Sequence, residues 1–331
     1  MNFMKRIVAG REWPWRAVSS GLVSPRSDPR LSGLAPGRAG ACLLLLSTAV
    51  LLSACASLEQ WQRKLALRPT PTQSAHVDAA AASWRQGDER FTQPAIGMPQ
   101  QRVALWWLPH ANPQAPALLY LHGTFRNLYQ NQPKINALRQ AGFAILAVDY
   151  RGWGDSAALV PSEATINADA ALAWAEFQRR QPDPAKRVIY GHSMGGAVAV
   201  TLASGLKHGR DYNALVLEST FTRMPDVAAA AGFWGRVAAS TTTLQFDSLS
   251  RMAQIDAPLL MLHGTADKTV PIELGRRLRD AAPTGVRWIE FPGGTHSRLQ
   301  LEAPAAYQQA FQDLMGSQKR IPQAPLRATS P

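Results

Sequence analysis

What this chain lacks narrows it first. It holds only two cysteines in 331 residues, Cys42 and Cys55. That excludes a disulfide framework, because small bridged scaffolds need several pairs to offset a thin core. Its most apolar run, Ala41–Ala54, has 14 residues, whereas a spanning helix needs about 20. Acidic residues are scarce, with 23 Asp and Glu against 35 Lys and Arg, a formal charge of +12. The basic excess forms no motif and no patch interleaved with aromatics, so nucleic acid is not an expected partner. None of the seven histidines pairs at zinc-ligand spacing with a suitable third ligand, so neither a metal site nor a cofactor is expected.

The apolar run follows Arg26, Arg30 and Arg38 and ends in Leu52-Ser53-Ala54-Cys55. Its length and flanks read as the h-region of a signal peptide spanning 1–54. The last four residues resemble a bacterial lipobox, which implies cleavage before Cys55 and lipidation of its thiol. Small residues before the cysteine suit peptidase access. The expected location is the cell envelope, lipid-anchored and outside the cytoplasm, at the outer membrane in a host that has one. The stretch ahead of the h-region is too long for an n-region, so translation is expected to start downstream of Met1. Residues 1–54 hold seven Lys or Arg and two Asp or Glu, so their removal leaves a charge of about +7. Such a modest excess is compatible with a position near anionic lipid.

The most informative motif is Gly191-His192-Ser193-Met194-Gly195. It follows the β-rich run Arg187-Val188-Ile189-Tyr190 and opens the small-residue helical run Gly196–Val200. A G-x-S-x-G pentapeptide on a strand-to-helix turn is a nucleophile elbow. The turn strains the serine backbone and crowds the positions two before and two after it, which suits glycine.

The order nucleophile, acid, histidine then selects partners. Asp267 follows the apolar run Pro258–His263, in the loop at a strand's carboxyl end where α/β sheets place their chemistry. Its competing role is to cap the helix beginning near Pro271. His296 lies in Pro292-Gly293-Gly294-Thr295-His296-Ser297, after the strand Val286–Phe291. From there its ring can face Ser193 with one nitrogen and Asp267 with the other. Backbone N–H groups of Met194 and Thr124 are the expected oxyanion donors, with Phe125 as the neighbouring alternative to Thr124. Glu218, ending the strand after the elbow, is the fallback acid. Asp149 and Asp155 precede the nucleophile and read as loop-stabilising residues, with Arg151 as a candidate partner. His76, His110, His122, His192, His208 and His263 are not assigned to catalysis.

These blocks, LYLHGTFRN, AVDYRGWGDS, YGHSMGG, LVLESTF, MLHGTADKTVP and FPGGTHS, resemble the α/β-hydrolase superfamily. The likeness is to its small-cap branch of monoacylglycerol-lipase-like and serine-aminopeptidase-like enzymes. It covers roughly Gln101 to Met315. It implies Ser193 as nucleophile, Asp267 as acid, His296 as base, and Thr124 and Met194 as oxyanion donors. The bulky Thr124-Phe125-Arg126 departs from the small residues that follow His-Gly in many relatives.

The implied fold class is α/β, a mostly parallel, doubly wound sheet of about eight strands with a small helical cap. Strands are expected at Val103–Leu108, Ala117–His122, Ala144–Asp149, before the elbow, and at Ala214–Glu218, Pro258–His263 and Val286–Phe291. Helices are expected at Gln132–Gln140, Ile166–Arg179 and Pro304–Met315. Residues 55–92 read as a tether with some helix, 93–315 as the hydrolase domain and 316–331 as a disordered tail. Residues 221–257 read as the cap, with one small apolar helix around Ala228–Trp234. Phe125, Trp153 and Phe221 are candidate walls of an acyl pocket. The expected activity is carboxylic ester hydrolysis on a small-molecule ester or lipid. Thioester or peptide cleavage by the same machinery is the alternative, as is a non-catalytic envelope scaffold.

Overall fold

The computed structural model describes residues 57–318, apart from Ala82 and Thr284. The signal segment, the lipobox with Cys55 and the tail beyond Gln318 lie outside the described residues.

Eight strands form one sheet: β1 Glu89–Ala95, β2 Met98–Leu108, β3 Ala117–Leu121, β4 Ala144–Asp149, β5 Arg187–His192, β6 Ala214–Glu218, β7 Leu259–Gly264 and β8 Val286–Phe291. Their spatial order is β1-β2-β4-β3-β5-β6-β7-β8. Only β1–β2 and β2–β4 run antiparallel; β4 through β8 pair in parallel. The central strands are buried along their whole length, as ALLYL and ALVLE illustrate. Such strands are apolar without alternation because helices cover both faces. Alternate residues feed two cores. Leu119, Leu121, Ile189 and Leu217 face one; Leu118, Tyr120, Val188 and Val216 face the other.

The helices are α1 (57–67), α2 Ser74–Ala81, α3 Leu128–Gln140, α4 Glu163–Arg180, α5 Met194–Ala203, α6 Met224–Ala230, α7 Phe233–Thr241, α8 Ile272–Asp280, α9 Leu299–Glu302 and α10 Pro304–Gln318. Helices α3 and α4 begin four and three residues before the positions expected from apolar periodicity. Capping explains both shifts. The Asn127 side chain accepts from Gln130 N–H and the Ser162 side chain from Thr165 N–H, each within a capping box. A cap satisfies N–H groups that lie ahead of the helix's buried face.

Three further features depart from expectation. Strand β1 enters the sheet at Glu89, four residues ahead of the expected domain start. Its sequence ERFTQPA is mostly polar and exposed, because an edge strand with one partner needs little apolar surface. Residues assigned to the tether pack on the domain: Leu67 is fully buried in the core, and Gly154 N–H donates to Thr70 carbonyl at 2.9 Å. The cap holds two short helices rather than one, broken at Gly232 with φ 94°.

Helix α5 crosses close beneath the loop ends of β3 and β5. A Cβ on Gly195 would sit 2.0 Å from the Leu121 carbonyl oxygen, and one on Gly191 would sit 2.2 Å from that of Gly195. Both obstacles are backbone, which cannot rotate away. Gly195→Ala is therefore expected to destabilise the fold by about 3 kcal/mol, read as a lower urea midpoint.

Candidate active site

Ser193 sits between β5 and α5 with φ 55° and ψ −123°. A non-glycine residue holds that conformation only where surrounding contacts over-determine it. Here its N–H donates to Glu218 carbonyl at 2.9 Å, and its carbonyl accepts from Gly196 N–H at 2.9 Å. Thr220 hydroxyl donates to the same carbonyl at 2.9 Å. The side chain projects at the carboxyl end of the sheet, as the elbow reading requires.

His296 and Asp267 converge on it from loops after β8 and β7. His296 Nε2 lies 3.0 Å from Ser193 Oγ, and Nδ1 lies 2.7 Å from Asp267 Oδ2. Both contacts form together when Nδ1 carries the proton and the serine hydroxyl donates to Nε2. Asp267 divides its oxygens. Oδ1 accepts from the N–H groups of Thr269 at 2.9 Å and Val270 at 2.8 Å, which leaves Oδ2 for the imidazole. Both N–H groups lie in the loop ahead of α8, whose N-cap is Pro271 without a side-chain cap, so Asp267 pins its own loop and orients the imidazole rather than capping the helix. Burial pushes its pKa up, but hydrogen bonds from His263, His296 and Val270 pull it well below the usual carboxylate range, so Asp267 is anionic at neutral pH.

Two histidines without an assignment from sequence support this geometry. His192 Nε2–H donates to the His296 carbonyl at 2.9 Å, tying the histidine loop to the elbow. His263 Nε2–H donates to Val270 carbonyl at 3.0 Å and lies 3.4 Å from Asp267 Oδ2. The four-residue spacing of His263 and Asp267 at a strand end was the available sequence signal for the second. Nothing local marks His192, whose partner lies 104 residues away.

The loop after β3 carries Thr124. His122 Nδ1–H donates to Gly123 carbonyl at 2.6 Å. In a trans peptide the next N–H points the opposite way, so Thr124 N–H faces away from His122. Thr124 lines the same cavity as Ser193. Among the described residues no protein group accepts a hydrogen bond from the N–H of Thr124 or Met194. Residues 68–72 brace this loop. Thr70 hydroxyl donates to Phe125 carbonyl at 2.8 Å, and the Arg68 guanidinium lies 4.6 Å over the Phe125 ring. That contact helps hold Phe125 at φ 72°. The cavity encloses about 750 Å³ and reaches Ser193 and His296.

Several expected roles change. Trp153 and Phe221 are core residues, and neither lines the cavity; Phe125 does. No residue of 221–257 lines it either, because α6 and α7 pack chiefly on each other. Arg151 pairs with Asp169 at 2.9 Å rather than with Asp149 or Asp155. Asp149 instead accepts from Leu128 N–H at 2.9 Å, and Asp155 from Tyr129 and Thr72 hydroxyls, each at 2.6 Å. Both remain loop-stabilising. Glu218 accepts from buried Lys134 and from the Tyr190 and Tyr307 hydroxyls. Burial pushes its pKa up, but the Lys134 charge and neighbouring His192, together with hydrogen bonds from Lys134 and Tyr190, lower it overall. Its oxygens are spoken for beneath the elbow.

Burial, with the charges of Lys134 and His296 nearby, pushes His192 down to about 3. It stays neutral in the folded chain while an unfolded histidine protonates near pH 6.5. Folding stability carried by this group is therefore present above pH 6.5 and lost as pH falls toward 3. His192→Gln should remove about 2 kcal/mol of the wild-type loss between pH 7 and pH 5, measured by urea denaturation at both values.

A family model described as serine aminopeptidase, S33, matches residues 112–251. An uncharacterized protein of Mycobacterium tuberculosis is 32% identical over 243 residues, 72% of this chain and 82% of the relative. A lysophosphatidylserine lipase of Danio rerio is 32% identical over 198 residues, 55% of this chain. The chain spans only 51% of that lipase. Among solved structures, an alpha-beta hydrolase of Vibrio vulnificus superposes with a TM-score of 0.61 at 20% identity, covering 79% of this chain and 93% of its own. The sheet order, the elbow and these likenesses agree: the chain belongs to the α/β-hydrolase superfamily and is a hydrolase of that type.

Proposed function

We propose that this protein is a serine hydrolase that cleaves carboxylic esters through an acyl-enzyme on Ser193. The observation that carries the reading is the hydrogen-bonded line from Ser193 Oγ through His296 to Asp267, at 3.0 and 2.7 Å, opening on a cavity. Ser193 Oγ attacks the ester carbonyl as its proton passes to His296 Nε2. Asp267 holds the tautomer and stabilises the imidazolium. Thr124 and Met194 N–H groups take the oxyanion. Collapse breaks the bond to the leaving oxygen, which receives the proton from Nε2. Water then attacks the acyl-enzyme, gives one proton to Nε2, and releases the acid as that proton returns to Ser193.

Ester rather than peptide cleavage is favoured by charge. An aminopeptidase needs a carboxylate to receive the substrate's ammonium. The lining of this cavity carries Arg68, Arg126, Lys268 and Arg298 and no acidic residue. The Danio rerio relative, a lysophosphatidylserine lipase by name, points the same way, toward an ester in a lipid.

The second part of the proposal is a lipid anchor on Cys55 and a place at a membrane in the cell envelope. Helix α1 begins within two residues of that cysteine among the described residues. Leu58, Trp61 and Leu65 are each more than half exposed. At 100° per residue they share one side of the helix, opposite the buried Leu67. An outward apolar stripe beside an anchor suits an interfacial position.

Two measurements test these statements. A fluorophosphonate probe should label the wild-type chain and not Ser193→Ala, and the variant should lose on the order of 10⁶ in kcat on a soluble ester. Comparable turnover by the variant overturns the mechanism. Cys55→Ala should shift the protein from the membrane fraction to the soluble fraction; unchanged partition overturns the anchor.

A further inference from the structure

The cavity at Ser193 continues into a side pocket of about 210 Å³. The two share Arg126, Asn131, Ser297 and Arg298. The side pocket is floored by Lys134 and Gln300, and its lining also contains no acidic residue.

The two arginines differ from many in this chain. Arg139, Arg151 and Arg180 each reach a carboxylate within 3 Å. The guanidinium groups of Arg126 and Arg298 make no hydrogen bond or ion pair with a protein group among the described residues. Their backbones are held all the same. Arg126 carbonyl accepts from the Asn131 side chain at 3.1 Å, and Arg298 carbonyl accepts from Leu301 and Glu302 N–H groups at 2.8 and 2.9 Å. The carboxylate of Glu302 is turned instead to Thr295, accepting from its N–H at 2.8 Å and its hydroxyl at 2.6 Å. Beneath them the Lys134 charge is spent on Glu218. Two exposed cations on anchored backbones thus flank a concavity whose own lining holds no acidic residue; Glu302 feels the Arg298 charge but makes no ion pair with it. Such a site concentrates anions, and the guanidinium fork matches phosphate and carboxylate oxygens.

The nearness of this pocket to the histidine loop is the ground for assigning it to one end of a substrate. The leaving oxygen must receive its proton from His296 Nε2. Arg298 follows His296 by two residues, and Ser297 lines both cavities. Resting on the ester-hydrolase reading of Ser193, we propose that Arg126 and Arg298 form an anion subsite in this side pocket that binds a phosphate or carboxylate carried by the leaving group. The substrate class is then an acyl ester of an anionic alcohol.

A matched pair of soluble substrates tests this: hexanoylglycerol and hexanoylglycerol 3-phosphate, at low and high salt. Wild type should turn over the phosphate ester with kcat/KM tenfold or more above the neutral ester, mainly through KM, and salt should erode the ratio. Arg126→Gln with Arg298→Gln should bring the ratio toward one, since a hydrogen bond to a charged group contributes on the order of tenfold or more. Lys207→Gln, an exposed lysine paired with Asp256, should leave the ratio unchanged. A wild-type ratio near one, with the neutral ester still hydrolysed, overturns the subsite and spares the Ser193 reading. A preference that survives in the double variant also overturns the subsite. Competitive inhibition of neutral-ester turnover by inorganic phosphate, without faster turnover of the phosphate ester, assigns the arginines to free phosphate and overturns the substrate role. Failure on both esters together with no fluorophosphonate labelling overturns the underlying reading instead.

Discussion

The strained backbone of Ser193 is the constraint on which the site depends. Its conformation, φ 55° and ψ −123°, costs about 1–3 kcal/mol. Three hydrogen bonds from β6, Thr220 and the first turn of α5 hold it there. The same turn brings α5 against β3 and β5 so closely that Gly191 and Gly195 face backbone, not side chains. The elbow sets where the hydroxyl stands, and every other group is arranged relative to it. His192, next in the chain, reaches across to the His296 carbonyl, so the turn that presents the serine also anchors the histidine loop.

Charge is distributed in two tiers around that point. Below the elbow, Glu218 is matched by Lys134 and two tyrosine hydroxyls. A buried carboxylate without such partners carries a desolvation cost of several kcal/mol. Beside the elbow, Asp267 is compensated by backbone N–H groups and histidine. At the rim, Arg126, Lys268 and Arg298 meet solvent without an ion pair among the described residues. The interior is neutralised pair by pair while the entrance keeps an unbalanced positive field, which shapes what approaches Ser193.

Legibility in the sequence followed burial. The strands Ala144–Asp149, Ala214–Glu218 and Val286–Phe291 have the expected bounds, because apolar runs between turn residues leave a buried strand little latitude. Strand β1 was not legible, since ERFTQPA owes its conformation to pairing with β2. The helix starts at α3 and α4 shifted because Asn127 and Ser162 cap ahead of the apolar face. The convergence of Ser193, Asp267 and His296 is consistent with their order in the loops after β5, β7 and β8. Proximity in sequence does not reveal the partner of Arg151, because Asp169 is 18 residues away on α4. The aromatics Trp153 and Phe221 looked like pocket walls and are core, because an aromatic side chain does not announce which way its element faces.

Taken alone, the sequence determined the elements of the core, their βα alternation, the glycines that the elbow requires and the candidate site residues. Those are local properties, set by periodicity, steric room and the order of loops along the chain. Only the tertiary structure decided which loops meet. It brought residues 68–72 onto the Thr124–Asn127 loop, moved the cap off the cavity, and set Arg126 opposite Arg298 across 172 positions of sequence. The reason is physical: neighbourhood at the sheet's carboxyl end depends on the order β4-β3-β5-β6-β7-β8, and no local pattern encodes the distance between loops that leave different strands.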